Sequence, residues 1–329
     1  MGIKLTQTQT SVLQKVVAKY WQQEATQLTD RLDGITIINK TPPKIVGFIP
    51  EYKYFPAAFF KIYFAERSYE NEVMGYKLAN TIHPIGNIRV PKIIELLPEQ
   101  SAILLEKIPM QDSLIEIRRI FYKKSEINWN HLGNWLRAFH DTEPLSTENR
   151  GFIEYSQSRL DQHLKQVGHL FRPNQVEAIK NISLSAKDYV DQNSIDWVNM
   201  HGDFNIDSIK LSKSATFIID FERLTVAPRT YEVINFLAAL QFSIYFLYRK
   251  SFFHWFLNEF LEGYGIQIES TPLNHFFYLK TIFDLIAHYD KRKSVSKFYA
   301  AEPVYNMLKN VMINATGQFL NKPFNSWTS

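Results

Sequence analysis

One stretch constrains this chain more than any other. It runs Val198-Asn-Met-His-Gly-Asp-Phe-Asn-Ile-Asp-Ser-Ile-Lys-Leu211, passes through a turn at Ser212-Lys-Ser214, and ends Ala215-Thr-Phe-Ile-Ile-Asp-Phe-Glu222. Short apolar runs alternate here with polar and turn-forming residues, so the stretch reads as strand, loop, strand, tight turn, strand. The loop carries Asp203, and the last apolar run ends on Asp220. The hairpin between them brings two carboxylates, distant along the chain, to one edge of a cleft.

The flanking sequence supplies the setting. From Ser11 to about Leu28, Val12, Leu13, Val16, Val17, Tyr20 and Trp21 recur at helical spacing and predict an opening amphipathic helix. Ile35 to Ile38, Ile45 to Ile49 and Ala57 to Phe64 then read as strands, an antiparallel hairpin followed by a third strand. Tyr69 to Ala79 reads as a helix, and Arg89 to Leu96 and Ser101 to Glu106 as two more strands around Leu97-Pro-Glu-Gln100. Later segments are mainly helical: Ile127 to His140, Ser156 to Gly168, Asn174 to Gln192, Tyr231 to Tyr248, Phe252 to Tyr264 and Leu273 to Tyr289. The expected fold class is α+β and two-lobed. Residues 1–106 form an N-terminal helix plus a β-rich lobe, 107–113 a hinge, and 114–329 a helical lobe that contains the strand–loop–strand block.

Composition removes several alternatives. With 329 residues, 45% of them hydrophobic, the chain can bury a large core. A formal net charge of +4, and no basic cluster longer than Lys291 to Lys293, argue against nucleic acid as a partner. The absence of cysteine excludes disulfides, thiolate catalysis and cysteine-held metals. No secretory h-region opens the chain, so a cytoplasmic location is expected; Gly2 to Thr6 fits a loose myristoylation pattern that arises often by chance. Val233 to Tyr248 is apolar but short and interrupted by Asn235, Gln241 and Ser243, which predicts a buried helix rather than a membrane span.

The two carboxylates suit phosphoryl transfer. One orients an attacking hydroxyl and accepts its proton, and the other holds the Mg²⁺ that neutralises charge on the β- and γ-phosphates. A lone His-Gly-Asp is more often a hydrogen-bonded turn, so the weight rests on Asp203 and Asp220 together. Lys61, in the middle of the apolar strand Phe59 to Phe64, adds to it: an ammonium there needs a phosphate and a carboxylate, unless the strand lies at a solvated edge.

His201-Gly-Asp203 and Ile219-Asp-Phe-Glu222 resemble the HGD-x-x-x-x-N catalytic loop and IDFE metal strand of the aminoglycoside phosphotransferase and choline kinase superfamily, small-molecule kinases with a protein-kinase-like fold. The resemblance implies Asp203 as the catalytic residue, Asp220 as the principal Mg²⁺ ligand, and His201 as a structural residue of the loop. Ser208 stands where the family has an asparagine as second metal ligand. Glu72, in Glu72-Val-Met-Gly-Tyr-Lys-Leu78, matches the family helix that partners the strand lysine, with Glu70 as the rival. Leu104 to Pro109 resembles the hinge, where Glu106 and Ile108 would hold adenine through their main chains. Leu132 to His140 matches a helix read as packing, and Glu232 stands where a loop-bracing aspartate is usual. A glycine-rich phosphate loop is missing, which argues against a protein kinase.

The function implied is ATP-dependent transfer of the γ-phosphate to a hydroxyl of a small-molecule alcohol, an amino sugar or a choline-like compound among them. ATP and Mg²⁺ are the expected cofactors, and the oligomeric state stays open. The changes at Ser208 and Glu232 motivate an alternative, a pseudokinase that binds nucleotide or a partner without turnover. A metal-dependent hydrolase built on His201 and Asp203 is a third reading. For the acceptor, the pool to consider is Phe252, Phe253, Trp255, Phe276, Phe277, Phe283, Asp284, His288, Tyr289 and Asp290: an aromatic and acidic lining would attract a cation, and plain core packing is the competing reading.

Overall fold

A computed structural model describes residues 5–22, 35–39, 44–108, 127–212, 214–245, 250–295, 310, 312–314, 316–317 and 319–320. Contacts divide the chain into two compact units. The first is Met1–Glu116 with His201–Asp203 and Asp207–Leu224; the second is Ile117–Met200, Phe204–Ile206 and Thr225–Ser329.

The first unit is built on a five-stranded antiparallel sheet of β1 (Thr36–Asn39), β2 (Lys44–Ile49), β3 (Ala58–Tyr63), β5 (Ile93–Leu97) and β6 (Ala102–Glu106), in the order β1-β2-β3-β6-β5. Helix α1 (Gln7–Tyr20) covers one face. Thr6 starts it with a capping box, its hydroxyl accepting from the Gln9 amide while the Gln9 side chain accepts from the Thr6 amide. Leu13, Val16, Val17, Tyr20 and Trp21, one apolar stripe, pack against Ile45, Ile49, Phe60, Ile62, Ala102 and Leu104. Of the helix expected from Ser11 to Leu28, residues 23–28 lie outside those described.

Strand alternation decides what meets the other face. Register pairs Val46 with Lys61 and Lys44 with Tyr63, so Lys44, Val46, Lys61 and Tyr63 share the face turned away from α1. All six residues of β3 are buried because this central strand is covered on both sides. Lys61 is therefore not at a solvated edge. Helix α2 (Glu66–Thr81) buries Tyr69, Glu72, Gly75, Tyr76 and Ala79, a single face at three- and four-residue spacing.

The run expected as one strand from Arg89 to Leu96 is divided. Pro91 has no amide hydrogen, and the ladder breaks there: β4 (Ile88–Arg89) leaves the main sheet and β5 begins at Ile93. Instead β4 pairs in parallel with β9 (Thr216–Ile218), which pairs antiparallel with β8 (Ile209–Leu211). This three-stranded sheet holds the Asp203–Asp220 hairpin in the first unit. Of the connector read at 107–113, only Lys107 and Ile108 are among the described residues.

The second unit is mainly helical: α3 (Trp129–His140), α4 (Arg150–Val167), α5 (Pro173–Gln192), α6 (Arg229–Tyr245), α7 (Lys250–Tyr264) and α8 (Pro272–Val295). A ribbon of β7 (Trp197–Met200) and β10 (Thr225–Pro228) accompanies them, and the second strand of it was not expected. Helix α4 starts six residues before the expected Ser156, with Ile153 buried in its first turns. Among the described residues no helix is long and apolar enough to cross a membrane, and α6 carries the apolar run as far as Tyr245.

Helices α3 and α7 meet through glycines. A Cβ at Gly133 would lie 2.2 Å from the Phe260 carbonyl oxygen, and one at Gly263 would lie 1.9 Å from that of Asn130. Gly133→Ala gains about 1 kcal/mol of helix propensity, but backbone cannot yield as a side-chain tip can, and overpacking costs about 1–3 kcal/mol. The net expectation is a loss of stability of up to about 2 kcal/mol, read as a lower midpoint in chemical denaturation; a midpoint above that of the parent would refute the backbone contact.

Candidate active site

The loop after β7 is shaped by its histidine and glycine. His201 is fully buried, and its Nε2 donates to the Ile219 carbonyl at 3.0 Å. That bond leaves Nδ1 as an acceptor, and the Asp203 amide donates to it at 3.3 Å. Gly202 sits at φ +84°, and a Cβ there would lie 2.0 Å from the Arg223 carbonyl oxygen. Conformation and close approach both require glycine. The outcome is a carboxylate at Asp203 aimed by its own backbone, with the Arg223 guanidinium 3.7 Å away. Burial raises the Asp203 pKa, Arg223 opposes the rise, and Asp220 and Glu222 add to it.

Asp220 follows β9 (Thr216–Ile218) after one intervening residue, Ile219. The Ile219 amide donates to the Ser208 carbonyl at 2.9 Å, which sets Ser208 across the hairpin from the residue before Asp220. Asp220 adopts φ +77°, a strained conformation that asparagine and aspartate tolerate better than most residues. Two lysines reach its Oδ1, Lys61 at 2.9 Å and Lys44 at 3.2 Å. Burial works to raise its pKa, but the two ammonium groups outweigh that and hold the carboxyl far below the usual range.

Lys61 also bonds Glu72 at 2.5 Å, with the lysine side chain 3% exposed and the glutamate fully buried. Burial disfavours the ammonium, yet Glu72 and Asp220 raise the Lys61 pKa well above its ordinary value. Burial lifts Glu72 to about 7 against the pull of Lys61, consistent with a second oxygen, Oε2, that has no hydrogen-bond partner among the described residues. Glu70, the rival partner, is exposed.

Phe221 ties the parts together. Its ring lies 4.9 Å from Tyr76 of α2 and 4.4 Å from His201 of the loop. A Cβ at Gly75 would stand 2.3 Å from the Phe221 Cβ, so α2 approaches the turn after Asp220 as closely as a missing side chain allows.

The structure thus brings Lys61, Glu72 and Asp220 into contact, and sets Ser208 and Asp203 on the same hairpin. The hinge residues differ from one another. The Glu106 amide is engaged by the Lys92 carbonyl at 2.9 Å. The Ile108 side chain is buried with Ala215, Phe217 and Ile219. Two site residues escaped the sequence reading. Lys44 donates to Glu222 Oε2 at 2.7 Å as well as to Asp220, and Glu222 was noted only as part of the motif. The signal for Lys44 is parity: it shares the face of Lys61 once β2 is paired with β3.

The acceptor pool is corrected. Phe276, Phe277 and Phe283 are fully buried core, and Asp284 is held by Lys280 at 2.7 Å and His163 at 2.6 Å. The side chains of Phe252, Phe253, Tyr289 and Asp290 lie outside those described. The helix read as packing also carries a polar pair: His140 Nε2 donates to Glu232 at 3.0 Å, and Tyr264 Oη lies 2.6 Å from Nδ1, all buried in the second unit.

As a cation site, Asp220, Glu222 and Ser208 offer the oxygen donors a hard divalent ion prefers, and the Lys44 ammonium already bridges the two carboxylates as a stand-in cation. Among the described residues, no group of three or more histidines and carboxylates could hold a metal alone.

No curated protein matches the sequence. Among solved structures, a choline/ethanolamine kinase family protein from Mesorhizobium loti is similar at TM-score 0.57 and 11% identity, over 96% of this chain and 97% of that one. An amicoumacin kinase in complex with AMP-PNP, Ca²⁺ and Ami is similar at TM-score 0.54 and 12% identity, over 92% and 96%. The GDP complex of wild-type aminoglycoside 2′-phosphotransferase-IIIa is similar at TM-score 0.54 and 11% identity, over 94% and 97%. At these identities the likeness is one of fold, the kinase-like α+β architecture. The phosphotransferase enzyme family matches residues 79–273, more than half of the sequence, and the chain belongs to that family.

Proposed function

We infer that this phosphotransferase moves the γ-phosphate of ATP to a hydroxyl of a small-molecule alcohol. The observation that carries the reading is the contact network Lys61–Glu72–Asp220, set within one unit beside Asp203. Lys61, charged and fixed by Glu72, is placed to hold phosphate oxygens. Asp220 and Ser208 would hold Mg²⁺, which when bound neutralises charge on the β- and γ-phosphates. The Glu106 and Ile108 main chains are the groups for adenine. Asp203 orients the acceptor hydroxyl and takes its proton as the phosphoryl group transfers in line.

The known folds with nucleotide-type ligands and those of choline, ethanolamine and aminoglycoside kinases support a small-molecule acceptor. With Phe276, Phe277 and Phe283 in the core and Asp284 already paired, these four members of the pool do not favour a cationic acceptor over a neutral alcohol.

Asp203→Asn keeps the shape and removes the base, so phosphorylation should fall by about 10²–10⁴-fold. Folding raises the Asp203 pKa, and a group raised in this way weakens the fold once pH exceeds both its values. At neutral pH the variant should thus be as stable as the parent or slightly more so. The check is ATP turnover on a panel of alcohols beside a denaturation curve; an Asp203→Asn protein with full turnover would remove Asp203 from the mechanism. Nucleotide binding by the parent with no turnover on any alcohol would instead favour the pseudokinase reading.

A second expectation concerns pH. Activity needs Asp203 ionised, so it declines as pH falls through a pKa that lies above the ordinary aspartate value. Arg223 opposes that rise, and Arg223→Ala should move the acid limb of the kcat/KM profile to higher pH. A limb that stays in place or moves down would show that Arg223 does not act on Asp203.

A further inference from the structure

Lys44 begins β2, opposite Tyr63, on the sheet face that also presents Lys61. Its side chain is 16% exposed, and its Nζ lies 3.2 Å from Asp220 Oδ1 and 2.7 Å from Glu222 Oε2. Lys61 has Glu72 as a second partner deep in the unit; among the described residues the ion pairs of Lys44 are with Asp220 and Glu222 alone. Two ammonium groups therefore converge on one carboxylate. The second partner of Lys61 is buried Glu72, whereas that of Lys44 is Glu222, itself part of the candidate cation site.

We propose that Lys44 is a tethered counter-cation that occupies the place of the metal between Asp220 and Glu222 and must be displaced for a divalent ion to bind. The inference rests on the reading of Asp220 as metal ligand. An ion held between Asp220 and Glu222 would take the position of the Lys44 ammonium, which bonds both carboxylates, whereas Lys61 bonds only Asp220 of that pair; two cations repel strongly at such range, so metal binding here is an exchange of Lys44 for the ion. The leaving cation stays attached to the chain by its flexible stem and needs no escape route. Without it, Asp220 and Glu222 would face each other with no shared counter-ion, a cost to the metal-free fold that Lys44 removes. Metal affinity is lowered by the same interaction, because the ion gains only what its contacts exceed those of Lys44.

The test uses the full chain without nucleotide and Mn²⁺ as the probe, with binding followed through the electron paramagnetic resonance signal of the free hexa-aqua ion. Lys44→Gln should bind Mn²⁺ about ten-fold more tightly than the parent, the equivalent of losing one or two modest ion pairs. Lys44→Arg, which keeps the charge, should stay near the parent, and Asp220→Asn should lose the site. Equal or weaker binding by Lys44→Gln, with the site still lost in Asp220→Asn, overturns the exchange and leaves the metal reading intact. Retained binding in Asp220→Asn overturns both. Where Lys44→Gln does not fold, the parent decides: on Mg²⁺ addition, the ¹³Cε resonance of Lys44 should move to that of a solvated lysine while Lys61 stays in place, and an unmoved Lys44 resonance overturns the proposal.

Discussion

A lysine ammonium that is 3% exposed in the middle of an apolar strand organises the first unit. Removing one partner of a buried ion pair costs about 3–5 kcal/mol, because the other charge is left without compensation. The fold answers with two partners from two directions. Glu72 comes from α2, whose register is set by Gly75 abutting Phe221, and Asp220 comes from the end of β9 at positive φ. Phe221 then passes the position of α2 to His201, and His201 shapes the loop that carries Asp203. The ion pair, the aromatic contacts and the strained aspartate are one constraint seen at three places.

Much of this was legible because local signals were strong. Apolar alternation marked β2 and β3, and the lysine inside β3 announced its own need for partners. The motif residues His201, Gly202, Asp203 and Asp220 each demand a particular backbone or neighbour, and the structure supplies them. What stayed hidden was pairing. Pro91 is a local sign of a break in the strand, but nothing local shows that Ile88–Arg89 then pairs with β9, or that Thr225–Pro228 returns beside Trp197–Met200. Lys44 was missed for the same reason: it reads as a polar residue after two prolines until the β2–β3 register puts it on the face of Lys61. In the reverse direction, Phe276, Phe277 and Phe283 offered aromatic character without a sign of which face the helix buries, and all three are core.

Ser208 and Lys44 belong to one electrostatic account. Ser208 is 4% exposed, and its carbonyl is held by the Ile219 amide, so its backbone cannot shift to bring a short side chain closer to an ion beside Asp220. In the proposed metal site, a hydroxyl in place of an amide would weaken a protein-only shell, and an ammonium spanning Asp220 and Glu222 would weaken it further. Phosphate oxygens, which carry several negative charges, offset both losses at once. Under the proposed reading the protein groups are thus tuned to hold Mg²⁺ poorly alone and well together with a nucleotide. Such a site recruits metal and triphosphate as a unit, and it keeps the Asp220–Glu222 face neutralised, and the unit around Lys61 folded, while it waits.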